Sequence, residues 1–141
     1  MAHKKSAQLV WTGENWDFET TLGSGYQVMF NAPKASPKGG SPMEFFLAGV
    51  AGCTGVDVLS ILQKMRQDVR GLTVDIEGDR AEDYPMVYED VTIVFNLRGK
   101  NIDPTAVEKA IELSETKYCS ASIMFKRAGA NVSARYTIEE V

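Results

Sequence analysis

The stretch that most constrains this chain is residues 41–65, SPMEFFLAGVAGCTGVDVLSILQKM. Ser41 stands where a helix N-cap is needed, Pro42 takes the first helical position and Glu44 follows three residues after the cap. This is a capping box: the serine oxygen accepts from the Glu44 N–H, the glutamate reaches back to the Ser41 N–H, and proline brings no N–H that would need a partner. Helical sequence continues to about Met65, so residues 42–65 span about 36 Å at the α-helical rise. Between positions 45 and 62 the apolar and small side chains are interrupted only by Thr54, Asp57 and Ser60. A helix that is apolar all round has no face to offer water and must be enclosed by protein or lipid. Cys53, one of two cysteines in the chain, lies in its middle.

The run is long enough to span a bilayer. Against a membrane span stand Asp57 inside it, the close-packing glycines Gly49, Gly52 and Gly55, and the charged, amphipathic sequence on either side. With 141 residues, the chain can build a core without staples, and a single domain covering 1–141 is expected. A net charge of −4 with no basic cluster speaks against nucleic-acid binding, which needs a cationic face. Two cysteines are too few for a disulfide scaffold, and residues 1–5 lack the apolar core of a signal peptide. A cytoplasmic protein is therefore expected.

Residues 7–12, 16–21 and 26–31 are short runs of Val, Thr and aromatic residues separated by glycine-containing turns, which predicts a three-stranded antiparallel meander. Residues 32–40, APKASPKGG, form a connecting loop of mobile composition. Leu72, Val74 and Ile76 alternate with polar residues, as do Val91, Ile93, Phe95 and Leu97, and the two runs should pair as a long hairpin. Asp103 and Pro104 cap a second helix to about Lys117, with Val107, Ala110, Ile111 and Ser114 inward and Glu108, Lys109, Glu112 and Glu115 outward. A short helical turn over 121–125 and a strand over 131–138 complete an α+β order.

The inventory removes most chemistries. The single histidine, His3, lies in a tail, and neither Cys-x-x-Cys nor His-x-x-x-His occurs, so no metal site is expected. Ser-His-Asp and Cys-His nucleophiles lack their base for the same reason. What remains is the two thiols, Cys53 and Cys119, whose 66-residue separation says nothing of their distance in space. They are either a reactive pair that forms a disulfide on oxidation or two small buried hydrophobes.

The run GGSPMEFFLAGVAGCTGVDVLSILQKM, followed much later by AIELSETKYCSASIMF, resembles the OsmC/Ohr family of thiol-dependent peroxidases, in the branch with a Ser-Pro-Met-Glu helix start. The resemblance covers nearly the whole chain. It implies antiparallel sheets wrapped around a long buried helix and an intertwined homodimer. It implies Cys53 as the peroxidatic and Cys119 as the resolving cysteine, organic hydroperoxides as substrates, and a lipoyl-type dithiol or lipoylated protein as external reductant, with no bound cofactor. Met43, Phe46 and Val50, with neighbouring apolar residues of the helix, would line a pocket for an alkyl tail. Ala48, Ala51, Gly52 and Gly55 would let a partner backbone approach.

The family's thiolate is held by an arginine from the N-terminal strands, and residues 1–65 contain none. The family's arginine-holding glutamate falls on Met43, one residue before Glu44, and the second motif carries Thr116 and Ser120 where those peroxidases have histidine and proline. Glu44 and Asp57 are the candidate charge partners. Asp57, one helical turn from Cys53, would anchor a substitute cation drawn from Lys38, Arg66, Arg70, Arg80, Arg98, Arg127 or Arg135. The expected function is peroxidatic reduction of organic hydroperoxides in oxidative-stress defence. The alternative is a non-catalytic dimeric module that binds small ligands or senses redox state.

Overall fold

The computed structural model describes residues 3–31 and 38–141, so most of the 32–40 loop lies outside the described residues. The chain divides into two compact units, Met1–Phe46 and Leu47–Val141.

In the first unit β1 (Ala7–Trp11), β2 (Asp17–Leu22) and β3 (Gln27–Asn31) form the expected antiparallel meander, in the order β1-β2-β3. Gly25 closes the second turn at φ +96°, a backbone conformation that glycine adopts without strain. Helix α1 (Pro42–Lys64) starts in this unit with the capping box in place. The Ser41 N–H donates to Glu44 Oε1 at 2.9 Å and the Glu44 N–H donates to Ser41 Oγ at 3.3 Å. Phe45 stacks on Phe30 with ring centroids 4.3 Å apart.

In the second unit β4 (Asp68–Arg80) and β5 (Tyr88–Lys100) make the long hairpin, and β6 (Asn131–Glu140) adds to β5. That last pairing is parallel, so the second sheet is mixed and not wholly antiparallel as expected. The cause is the connection: α2 (Pro104–Leu113) and α3 (Ser120–Arg127) lie between the strands, and a helical crossover returns the chain in its original direction. Asp103 caps α2, its carboxylate accepting from the Thr105 N–H at 2.9 Å.

The core of this unit is built from alternate residues of β5, namely Val91, Ile93, Phe95 and Leu97, against Val50, Val58 and Leu62 of α1 and Val107 and Ala110 of α2. Gly55 lets α1 come close to the sheet, because a Cβ there would sit 3.2 Å from a Val74 methyl. Elsewhere on α1, Phe46 is 58% and Val56 69% exposed. The second unit encloses the face of this helix that carries Val50, Val58 and Leu62, and by length and composition the helix could cross a membrane.

A second departure lies between α2 and α3. Residues Ser114–Tyr118 form a π-helical turn, with the Cys119 N–H donating to the Ser114 carbonyl at 2.7 Å. The wider turn changes the angular phase of the helix. Glu115, expected on the outward face, is buried as a result, beside the expected inward Ser114.

Candidate functional site

Cys53 and Asp57 are four residues apart on α1 and project from one face of it. Cys119 follows the π turn and is the N-cap of α3, in extended conformation at φ −79° and ψ 97°. Its sulfur accepts from the Ser122 N–H at 3.3 Å, the place a serine or aspartate oxygen commonly takes. The fold thus brings the two thiols together: Cys53 Sγ, Cys119 Sγ and an Asp57 carboxylate oxygen all lie within 4.8 Å of one another.

The two cysteines differ in environment. Cys53 is partly exposed, whereas Cys119 is fully buried. Burial pushes the Cys119 thiol up to about 12, against the pull of the Ser122 N–H and with further upward pushes from Cys53 and Glu115. Cys119 therefore stays protonated at neutral pH.

Beneath the sulfurs runs a chain of oxygens that sequence patterning did not reveal. Ser114 Oγ donates to Asp57 Oδ2 at 3.2 Å and lies 2.8 Å from Thr54 Oγ1, which in turn donates to Glu115 Oε2 at 3.2 Å. The three contacts from Asp57 to Glu115 share two hydroxyl protons, so one contact lacks a proton unless a carboxyl supplies it. Glu115 is otherwise satisfied: Ser122 Oγ donates to Oε1 at 2.7 Å and Lys126 Nζ stands 3.3 Å from the same oxygen. Lys126 also donates to the Glu115 carbonyl at 2.7 Å. A buried carboxylate needs such compensation to remain in the interior.

Lys126 was not among the expected cations. Of those, Arg70 pairs with Asp68 at 3.0 Å, Arg98 pairs with Glu139 at 3.5 Å and Arg80 donates to the Met86 carbonyl. The partner that the structure gives Asp57 is a hydroxyl. Glu44 serves the helix start, and the Ser41 backbone N–H, then its hydroxyl, hold its carboxyl below the usual range.

Of the three expected pocket residues, Val50 is buried in the core of the second unit at 1% exposure. Met43 and Phe46 belong to the first unit. A cavity of about 350 Å³ borders Asp57, walled by Ile61, Met65, Leu113 and Tyr118, with Lys64 and Ser60 completing it. Ile61 and Met65 follow Asp57 at helical spacing, which was the available signal. Tyr118 projects from the π turn and could not be placed without it.

The chain is 34% identical to YhfA of Escherichia coli K12 over 132 residues, which are 94% of this chain and 96% of that protein. A hypothetical protein from Aquifex aeolicus VF5, known as a crystal structure, superposes with a TM-score of 0.86 at 28% identity over 99% of both chains. The organic hydroperoxide resistance protein OhrB of Bacillus subtilis shares the fold, with a TM-score of 0.65 at 14% identity over 95% of this chain and 98% of that one. The family model described as OsmC-like protein matches residues 35–135, a span that takes in both cysteines and the oxygen chain between them. By that match and by its likeness to YhfA, the chain belongs to the OsmC family.

Proposed function

We propose that this protein is a thiol-dependent peroxidase that reduces organic hydroperoxides, with Cys53 as the attacking and Cys119 as the resolving thiol. The observation that carries the reading is the meeting of a partly exposed and a fully buried sulfur within 4.8 Å, from positions 66 residues apart. Membership of a family that includes hydroperoxide resistance proteins supports a redox role.

The Cys53 thiolate attacks the outer peroxide oxygen. The O–O bond breaks, sulfur becomes sulfenic acid, and the departing alkoxide takes a proton to leave as an alcohol. Cys119, too protonated to compete in the first step, then gives its proton up and its sulfur displaces hydroxide from the Cys53 sulfenic acid. The products are a disulfide and one water. Asp57 is the carboxylate beside both sulfurs, and the Ser114–Thr54–Glu115 chain connects it to the buried pair with Lys126. It is placed to take the Cys119 proton and return it to the leaving hydroxide. An external dithiol of lipoyl type, free or on a lipoylated protein, reduces the disulfide by exchange. The protein acts as a cytoplasmic homodimer in stress defence. The exposed Phe46 and Val56 on α1, with open space beside Gly49 and Gly52, suit coverage by a second copy.

The test is stopped-flow oxidation of the reduced protein by cumene hydroperoxide and by hydrogen peroxide. Fast, organic-selective oxidation is expected, abolished in Cys53→Ser, with a trappable sulfenic acid accumulating in Cys119→Ser. A rate no higher than that of a free thiol would discard the peroxidase.

A further inference from the structure

We propose that Cys53, Cys119 and Asp57 form a binding site for a thiophilic divalent cation, specifically Zn²⁺. The inference rests on geometry and ligand chemistry, independently of the peroxidase reading. Two sulfurs and a carboxylate oxygen lie mutually within 4.8 Å. Zinc–sulfur bonds of about 2.3 Å and zinc–oxygen bonds of about 2.0–2.2 Å set tetrahedral ligand atoms roughly 3.3–3.8 Å apart. Closing the triad onto a metal therefore takes side-chain adjustments of about an ångström, with no movement of the elements that carry it.

Three further features suit a metal. The ligands come from rigid core elements, two from successive turns of α1 and one from the N-cap of α3. Two of them are already oriented from behind: Ser114 Oγ donates to Asp57 Oδ2 at 3.2 Å and the Ser122 N–H donates to Cys119 Sγ at 3.3 Å. Such outer hydrogen bonds fix the direction of metal ligands. The partial exposure of Cys53 and the cavity bordering Asp57 leave one side of the triad open, both as an entry path and for a water as fourth ligand.

The donor set selects the metal. Thiolates discriminate against Mg²⁺ and Ca²⁺ and favour Zn²⁺. Binding releases the two thiol protons to solvent, and the two thiolates and the carboxylate leave the site at a net charge of −1. The expectation of no metal site rested on the absence of histidine and of short Cys spacings. A ligand set assembled from α1 and α3 has neither signature.

The experiment uses full-length, untagged, reduced protein without oxygen, titrated with Co²⁺ as spectroscopic probe and with Zn²⁺ against a chromophoric chelator. One Co²⁺ per chain is expected, with near-ultraviolet thiolate-to-cobalt charge transfer and the visible bands of tetrahedral coordination. The charge-transfer intensity should fall by about half in Cys53→Ser and in Cys119→Ser. Asp57→Asn should weaken Zn²⁺ by roughly tenfold or more while keeping both thiolate contributions. Cobalt binding without thiolate charge transfer, Zn²⁺ affinity unchanged in Cys53→Ser, or no saturable binding below millimolar Zn²⁺ would each overturn the site. The wild-type spectrum decides the matter even where a variant folds poorly. Failure of the peroxidase would show as slow oxidation by hydroperoxide and would leave the cobalt spectrum intact.

Discussion

The two sheets of this protein have the same number of strands and opposite relations to solvent. In the second, every other residue from Val91 to Leu97 is buried against helices of the same unit. In the first, β1 is exposed along its whole length, with Leu9, Val10 and Trp11 all facing outward. Both sequences are rich in β-branched and aromatic residues, so strand propensity is met equally in both. The difference lies in what the chain supplies to cover them. A strand forms from its own residues and its neighbours, whereas a core needs a second layer. The second sheet receives one from α1 and α2 within its own unit.

The contrast can be broken most forcefully at its centre. Phe95→Ala should destabilise the protein by about 3–5 kcal/mol in urea unfolding, because it empties a fully buried site on β5. Val10→Ala on β1 should cost within about 0.5 kcal/mol in dilute protein, as surface changes do. A Val10→Ala cost comparable to that of Phe95→Ala, growing with protein concentration, would show that a second copy covers the first sheet.

A pH series sharpens the same comparison. The buried Cys119 thiol titrates at about 12 in the fold against 9.0 ordinarily. Above about pH 9 the unfolded chain sheds this proton while the folded chain keeps it, so stability falls as pH rises, by at most about 1.4 kcal/mol per unit. Below about pH 9 both states keep the proton and the contribution is flat. Urea midpoints at about pH 8 and about pH 10 should drop accordingly, and Cys119→Ala should remove the part of the slope due to this thiol. A modest effect, between those of Phe95→Ala and Val10→Ala, is expected at the start of α1. Ser41→Ala removes the capping oxygen and should cost about 1 kcal/mol, read in the same denaturation experiment.

What was legible in the sequence was local. The capping box at Ser41 and Glu44, the meander, the hairpin and the Asp103 cap each arise from residues a few positions apart. All of them appear in the structure. What depended on distant partners was not legible. The parallel pairing of β6 follows from the long helical crossover between Lys100 and Asn131, the juxtaposition of Cys53 with Cys119 from packing of α1 against that crossover. Lys126 follows the turn expected over 121–125 and stands eleven residues from Glu115, so nothing in the local sequence marked it as that residue's partner.

The π turn at Ser114–Tyr118 has a consequence for the length of the chain as well as for its chemistry. Such a turn is in effect one residue added to an α-helix. Removing any single residue between 114 and 118 would restore ordinary helical phase and rotate what lies on one side of it by about 100°. Glu115 would swing out from under the sulfurs, and Cys119 would no longer meet Cys53. In this stretch the spacing is constrained even where a side chain, such as that of Thr116 or Lys117, is exposed. Single-residue deletions here should be tolerated far less than substitutions at the same positions.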